Sequence, residues 1–395
     1  MNQIREAVLE LPVFDTHTHL NNPGVPIPAR DFWDIGHYFW FLRELIAAGY
    51  PGKAADLPED RRREHYARAY AATRNTSMHW VVKRIFQDLY GLEITDASSI
   101  QRADEAVKAS FAQAEWPRKV IDRLAIRRIG VNSAACADFK SLEGVGYAIP
   151  SLQNTGNLVP RILNASDSNA ELAKVQEELR VEVAAVAARG FRGVRTDAAP
   201  FDRLGQKAYS FNEVLPKSGV APDHVLAMLC RSRFQALSEK RLFAQYFLGI
   251  HPTTIATAMP QNDTNLLPNM HRFFEQYNCD HELLLGCELS NLDIVQAACV
   301  LPNVQLGGLW WFNFRASTYR QCMQYRLEAL PPSRSAIVAS DARCIEWCYG
   351  KILLVKHLLA EFLDDQISRG WLDMETALFV AREWLHDSVE RRYIA

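Results

Sequence analysis

Residues 13–19 read VFDTHTH, an apolar run that leads straight into two histidines one residue apart. In an extended chain, side chains two positions apart lie on the same face, so His17 and His19 can converge on one ion where a strand ends. Neutral imidazole is a borderline ligand that suits zinc, iron, nickel or manganese. Two histidines in a strand are more often structural or exposed residues, and a metal site is favoured here by their place at the end of the first strand of a barrel.

Short apolar runs that end in small or polar residues recur along the chain and alternate with amphipathic segments, as in repeated βα units. Eight such runs are predicted to be strands, at 11–15, 125–131, 158–163, 193–196, 242–250, 283–287, 305–312 and 336–339. Helices between them are predicted at 169–189, 221–239, 265–278, 291–299 and 316–329. The pattern predicts an α/β fold, a closed (β/α)8 TIM barrel.

About a hundred residues separate the first two runs, where a βα connection needs only one helix and a short loop. Residues 30–120 are rich in Arg, Trp, Tyr and helix formers, which predicts a helical insertion subdomain after strand 1. Residues 1–29 and 121–395 are then predicted to form the barrel. Extra C-terminal helices are predicted after the last strand, at 345–368 and 374–393.

The composition indicates a globular protein and excludes some partners. The chain has 395 residues, of which 48% are hydrophobic, enough for a large core. A net charge of -2 gives no field that would attract a polyanion, so neither nucleic acid nor a membrane is an expected partner. No signal-peptide core or run of about 20 apolar residues is evident, and the eight cysteines have no CxxC spacing, which together predict a cytoplasmic protein.

A second candidate site residue follows the last predicted strand, in the sequence AIVASDAR at 336–343. The last strand of a barrel lies beside the first, so Asp341 can reach an ion held by His17 and His19. A carboxylate in that position can bind the metal and can also take a proton from water or substrate. The alternative is that Asp341 caps the helix that follows.

The predicted seventh strand ends in GGLWWFNFR at 307–315. The faces of Trp310 and Trp311 suit a sugar or another ring, and Arg315 can pair with a carboxylate. The alternative is that both tryptophans pack between the barrel and its helices.

Five stretches in this order resemble motifs of the uronate isomerases of the amidohydrolase superfamily, which convert glucuronate and galacturonate to ketouronates. They are FDTHTHL at 14–20, HYFW at 37–40, RNTSMHW at 74–80, LWWFN at 309–313 and SDAR at 340–343. The closing HDSVERRY at 386–393 is also similar to the end of that family. The resemblance spans most of the chain and identifies it as a divergent member.

The resemblance implies a site with one divalent metal, for which zinc is the expected ion. His17, His19 and Asp341 are then the metal ligands, and Asp341 is also the base. Further catalytic and substrate-binding residues are expected at Tyr38, Arg343, His37, Trp310, Trp311, Arg315 and His251. The implied reaction is aldose–ketose isomerisation of a small-molecule sugar acid, by proton transfer through an enediol, in a homo-oligomer.

The chain departs from the family pattern at several polar positions. Phe247 replaces a histidine on strand 5, Ala198 replaces one on strand 4, and Phe39 and Phe41 replace basic residues. A buried polar group of a sugar acid that loses its partner costs about 1–3 kcal/mol, so a less polar ligand is expected. His251 either compensates from beyond strand 5 or is simply solvated.

Three functions remain open from the sequence. The first is the isomerase. The second is a metal-dependent hydrolase or lyase that acts on a less polar carboxylate substrate, because one barrel supports many reactions. The third is a non-catalytic binding protein. The absence of a lysine at the end of strand 4 disfavours a two-metal hydrolase, and the retained Asp341 and Arg343 disfavour a loss of catalysis.

Overall fold

The structure is a computed structural model. It describes residues 2–20, 27–132, 142–196, 221–248, 266–285, 291–310 and 315–394.

The described strands form two parallel sheets. The first has the order β1-β2-β3, with β1 at Val13–Thr18, β2 at Ile126–Asn132 and β3 at Gly146–Ile149. The second has the order β4-β5-β6-β7, with β4 at Gly193–Arg195, β5 at Phe243–Leu248, β6 at His281–Leu285 and β7 at Val304–Leu309. The predicted α/β fold with parallel strands is therefore confirmed.

Isolated parallel bridges connect the ends of these sheets. Ser151, just after β3, pairs with Arg195 of β4. The segment 335–342 pairs with β7 on one side, and on the other side Ala342 pairs with Thr18 of β1. The amide of Asp341 also donates to the carbonyl of His17 at 2.9 Å. The last predicted strand therefore lies beside the first, as the sequence analysis required for a shared site.

Helices surround the sheets and fill the predicted insertion. The helices before β2 are α1 (Asn2–Glu10), α2 (Phe32–Gly36), α3 (Phe39–Ala47), α4 (Glu59–Ala72), α5 (Ser77–Tyr90), α6 (Ala97–Phe111) and α7 (Trp116–Asp122). The helices between β3 and β7 are α8 (Val159–Leu163), α9 (Ser168–Ala188), α10 (Pro222–Lys240), α11 (Leu266–Gln276) and α12 (Asn291–Val300). The helices after β7 are α13 (Ala316–Ala329), α14 (Ile345–Ser368), α15 (Met374–Arg382) and α16 (Ser388–Tyr393), with a π-helix at Glu383–Asp387.

The helix predictions hold closely, but one strand prediction is wrong. The run 158–163 forms helix α8 instead of a strand, and Pro160 stands in its first turn, where the missing N–H costs no hydrogen bond. The third strand is Gly146–Ile149, which is only four residues long. The run 336–339 lies where a last strand was predicted and forms bridges with its neighbours.

One core cluster of buried side chains includes both sheet residues and residues of the insertion. Helix α14 packs against α5, and a Cβ at Gly350 would lie only 2.7 Å from Cγ1 of Val81. This close approach holds α14 directly against α5. None of the described helices has the length and apolar character needed to cross a membrane.

Candidate metal centre

Three predicted ligands converge where β1 meets the 335–342 segment. Nε2 of His17 lies 3.2 Å from Oδ1 of Asp341, and Nε2 of His19 lies 2.9 Å from the same oxygen. One possible ligand atom from each residue fits within 4.8 Å of the others, and within the described ranges these three form the one group of this kind. Two imidazole nitrogens and a carboxylate oxygen are a donor set that a divalent transition metal accepts.

Burial and a hydrogen bond determine the protonation state and the orientation of the His17 ring. Its ring is fully buried, and Nδ1 hydrogen-bonds to Oδ1 of Asn132 at the end of β2. Because an amide oxygen only accepts, Nδ1 carries the proton and Nε2 is left facing Asp341. Burial lowers the pKa of His17 to about 4, although Asp341 opposes this shift. The ring is therefore neutral at pH 7, which is the form that binds a metal.

The hydrogen bond from His17 continues through a chain of buried polar groups. Nδ2 of Asn132 donates to Oε1 of Gln245 at 3.2 Å, and Nε2 of Gln245 donates to Oε2 of Glu282 at 3.2 Å. The hydroxyl of Tyr393 donates to Glu282, and Arg392 donates to Oε1 of Glu282 at 2.7 Å. The C-terminal helix thus supports the orientation of a metal ligand, which sequence reasoning missed.

Asp341 adopts a backbone conformation that few residues tolerate, with φ at +53°. This conformation directs Oδ1 towards both histidines, while Oδ2 accepts from the hydroxyl of Tyr38 at 3.1 Å and from Nε1 of Trp40 at 3.3 Å. Burial alone would raise the pKa of the Asp341 carboxyl, but its hydrogen bonds with His17 and His19 hold that pKa well below its usual range. The carboxyl group is therefore ionised at pH 7, which is the form that can bind a metal.

A buried lysine completes the contacts on this side of the site. Nζ of Lys351, on α14, donates to the hydroxyl of Tyr38 and to the carbonyl of Ser340. The side chain is fully buried, and burial lowers its pKa to about 7, while the charges of Asp341 and Asp15 oppose that shift. A charged residue between apolar neighbours of a helix is a signal that could have identified Lys351 from the sequence.

Asp15 forms hydrogen bonds to both segments that carry the predicted ligands, β1 and 335–342. Its Oδ1 accepts from the amide of Ser340 at 2.9 Å and from the amide of His17 at 3.3 Å. One carboxylate of β1 thereby holds the backbone beside Asp341 and the backbone of a histidine ligand together. Burial raises the pKa of Asp15 to about 6, and these hydrogen bonds oppose the shift.

An aromatic and basic wall lies beside His17. The ring centroid of Phe247 is 4.5 Å from the ring centroid of His17 and 4.5 Å from that of Trp310. Cζ of Arg195, at the end of β4, lies 4.6 Å from the centroid of Phe247. Arg195 was not expected from the sequence. Its signal was a cation next to the last position of the predicted strand 193–196.

The other residues predicted for the site have surroundings of different kinds. Cζ of Arg343 lies 4.8 Å from the ring centroid of Phe39, and its Nε is buried without a hydrogen-bond partner among the described residues. Nε2 of His37 pairs with the hydroxyl of Tyr50 at 2.7 Å, within the insertion. Arg315 is exposed at the start of α13. Trp311, His251 and Ala198 lie outside the described residues.

Several solved structures have a fold similar to that of this chain. A uronate isomerase from Bacillus halodurans C-125 matches with a TM-score of 0.74 and 17% identity, over 98% of this chain and 94% of that one. A uronate isomerase from Thermotoga maritima matches with a TM-score of 0.75 and 12% identity, over 99% of this chain and 96% of that one. A protein from Lactobacillus casei ATCC 334, named only as a candidate metal-dependent hydrolase, matches with a TM-score of 0.62 and 15% identity, over 100% and 98%.

No family model matches the chain, and no curated protein matches it by sequence. The resemblance to uronate isomerases inferred from the sequence is thus confirmed as a resemblance of fold along nearly the whole chain.

Proposed function

We propose that this protein is a metal-dependent isomerase that converts a sugar acid such as glucuronate or galacturonate from an aldose to a ketose. The convergence of His17, His19 and Asp341 within 4.8 Å carries this proposal. The fold similarity to two uronate isomerases supports it. We further propose that both sheets and the 335–342 segment close into one eight-stranded barrel, with 30–120 as an inserted helical subdomain, in a cytoplasmic homo-oligomer.

The residues fit one divalent metal, and zinc is the ion that we propose. Zinc commonly binds imidazole and carboxylate groups, and a catalytic zinc site has three protein ligands and one open position. The proton on Nδ1 of His17 and its bond to Asn132 are the outer hydrogen bond that metal-bound histidines usually make. When bound, such an ion polarises a carbonyl and its neighbouring hydroxyl.

The chain's own residues then handle the proton. Asp341 accepts the proton from C2 of the open-chain substrate and returns it to C1 through an enediol, while the proton of the C2 hydroxyl passes to the C1 oxygen, so that the aldehyde becomes an alcohol and C2 becomes a ketone. The hydroxyl of Tyr38 and the indole of Trp40 hold Oδ2 of this carboxylate in place. Arg343, with a buried and unsatisfied Nε, is available to stabilise negative charge on the substrate oxygens.

A second candidate is a metal-dependent hydrolase or lyase for a less polar carboxylate. The apolar ring of Phe247, 4.5 Å from His17, favours it, because this ring offers no hydrogen bond to the hydroxyl groups of a sugar acid. Similarity of fold to the Lactobacillus casei protein is compatible with this alternative. The binding-only alternative predicts neither turnover nor solvent exchange.

Incubation of the zinc-loaded protein with D-glucuronate or D-galacturonate in deuterated water, followed by NMR, tests the proposal. We expect ketose signals and the loss of the C2 proton signal. The Asp341→Asn variant should give neither, while Asp373→Asn, at an exposed helix cap, should behave like the wild type. Release of acid from an ester or lactone library without any isomerisation would favour the hydrolase instead.

A further inference from the structure

Arg195 stands on the same face of the sheet as the buried polar groups that support the metal ligands. It pairs in register with Gln245 of β5, and paired residues of parallel strands direct their side chains to one face. Gln245 uses that face to contact Asn132 and Glu282. Phe247 lies two residues further along β5 and so shares the face. The guanidinium of Arg195, which lies over Phe247, is thus nearer the carboxyl ends of the strands than the hydrogen-bonded side chains of Asn132, Gln245 and Glu282.

Arg195 and the proposed metal ligand His17 both lie beside the ring of Phe247. Cζ of Arg195 lies 4.6 Å from the centroid of Phe247, and that ring is 4.5 Å from His17. Trp310 also packs against Phe247, with the two ring centroids 4.5 Å apart. A cation, two apolar rings and three metal ligands therefore share one region.

Cζ of Arg195 lies over the ring of Phe247, an arrangement in which the guanidinium can stack on the aromatic face. A guanidinium over an aromatic face directs its N–H donors outward in its own plane, and this planar fork matches the two oxygens of a carboxylate. Arg315, the cation expected to pair with a carboxylate, is instead exposed at the start of α13. Arg195 is the better placed of these two cations, because it lies beside a ring that contacts a ligand histidine.

We propose that Arg195 binds the carboxylate of the substrate, while Phe247 and Trp310 contact the apolar part of the same molecule. This inference rests on the proposed function and deepens it. It assigns the recognition of the acid group to β4 and β5, the two strands where the resemblance to the uronate isomerases loses its histidines. The expected ligand is a carboxylate with an apolar face near the acid group.

Equilibrium binding tests this assignment, with D-glucuronate and benzoate as probes and benzamide as the uncharged partner of benzoate. The zinc-loaded wild type should bind benzoate at least tenfold more tightly than benzamide. Arg195→Met should remove that preference and weaken glucuronate at least tenfold, and Arg195→Lys should retain part of both. Arg192→Met, at an exposed arginine just before β4, is the matched control and should bind like the wild type.

Zinc content distinguishes a failure of the Arg195 assignment from a failure of the proposed function. All four proteins should hold equal zinc, which shows that the Arg195 variants are folded. Unchanged carboxylate binding in Arg195→Met, or the same loss in Arg315→Met alone, would overturn the assignment while leaving the proposed function intact. A wild type that binds neither carboxylate overturns it too. A wild type without zinc or turnover that still shows Arg195-dependent binding of benzoate would overturn the proposed function and not this inference.

Discussion

Helix α14 carries two fully buried lysines, Lys351 and Lys356, whose surroundings differ. Nζ of Lys356 donates to the carbonyls of Leu9 and Leu11 at 2.7 Å and to the carbonyl of Leu124 at 2.9 Å. These carbonyls lie just before β1 and β2 begin, at the end of the strands opposite to the site. Nζ of Lys351 instead contacts Tyr38 and Ser340, beside Asp341.

Both lysines are buried ammonium groups that donate to oxygen atoms, but the acceptors differ. Burial lowers the pKa of each ammonium to about 7, and oxygen acceptors replace the lost water in both places. The acceptors around Lys356 are neutral carbonyls that join α1, β1 and β2 to the helix. The acceptors around Lys351 are the hydroxyl of Tyr38, which contacts the carboxylate of Asp341, and the carbonyl of Ser340, the residue before Asp341. We therefore expect Lys356 to affect stability and Lys351 to affect chemistry.

The largest effect is expected from Lys351→Met. Loss of the ammonium removes the donor to both the hydroxyl of Tyr38 and the carbonyl of Ser340, so Asp341 loses support at its carboxylate and at its backbone together. We predict that the turnover of the proposed reaction falls by about 100-fold or more, as for other losses of precise positioning. Steady-state kinetics of the folded variant measure this, with Lys356→Met as the control. Equal turnover in both variants would remove the distinction between the two lysines.

Lys356→Met should act on the free energy of unfolding instead. It leaves three buried carbonyls without a donor, and we predict a loss of about 1–3 kcal/mol. Urea denaturation at pH 7 measures this loss, and kcat of the folded protein should stay within about twofold of the wild type. A large loss of kcat with unchanged stability would contradict the assignment.

The dependence of stability on pH sharpens the comparison. Each lysine has a folded pKa near 7, below the pKa of an unfolded lysine, so between these values the unfolded chain binds more protons. Stability should therefore rise as pH increases from 7 towards 10, by up to about 1.4 kcal/mol per pH unit for each lysine. Denaturation at several pH values should show a smaller slope in Lys356→Met. An unchanged slope would mean that this ammonium is not desolvated in the folded protein.

The smallest effect is expected from Tyr38→Phe, which keeps the ring but removes the hydroxyl between Lys351 and Asp341. Oδ2 of Asp341 retains the indole of Trp40 as a donor. We predict about a tenfold decrease in zinc affinity, at the low end for losses of an outer hydrogen bond. Competition with a chelating dye measures it. Zinc affinity equal to the wild type would show that the hydroxyl does not support the ligand.

Local patterns predicted the segments that bring the site together. The alternation in VFDTHTH placed His17 and His19 on one face of the chain where the first strand ends, and the apolar run before Asp341 indicated a last segment beside the first strand. Both depend on side-chain periodicity and on the order of strands in an α/β fold, which a sequence displays.

The contacts across the fold could not be predicted in the same way. Gln245 reaches His17 through Asn132, and each of these two contacts joins residues more than a hundred positions apart. The polarity of a residue within a strand does not indicate which partner it finds. The run 158–163 shows a different limit, because a short apolar stretch with a proline fits a strand or the first turn of a helix. Tertiary packing selected the helix.

The zinc content of the purified chain tests the central claim most directly. After equilibration with zinc and gel filtration, elemental analysis should find about one ion per chain in the wild type, as expected for a catalytic site with three protein ligands. The variants His19→Ala and Asp341→Asn should hold almost none, while Asp373→Asn should hold as much as the wild type. No stoichiometric zinc in the wild type, or equal zinc in all four proteins, would contradict a metal centre at His17, His19 and Asp341.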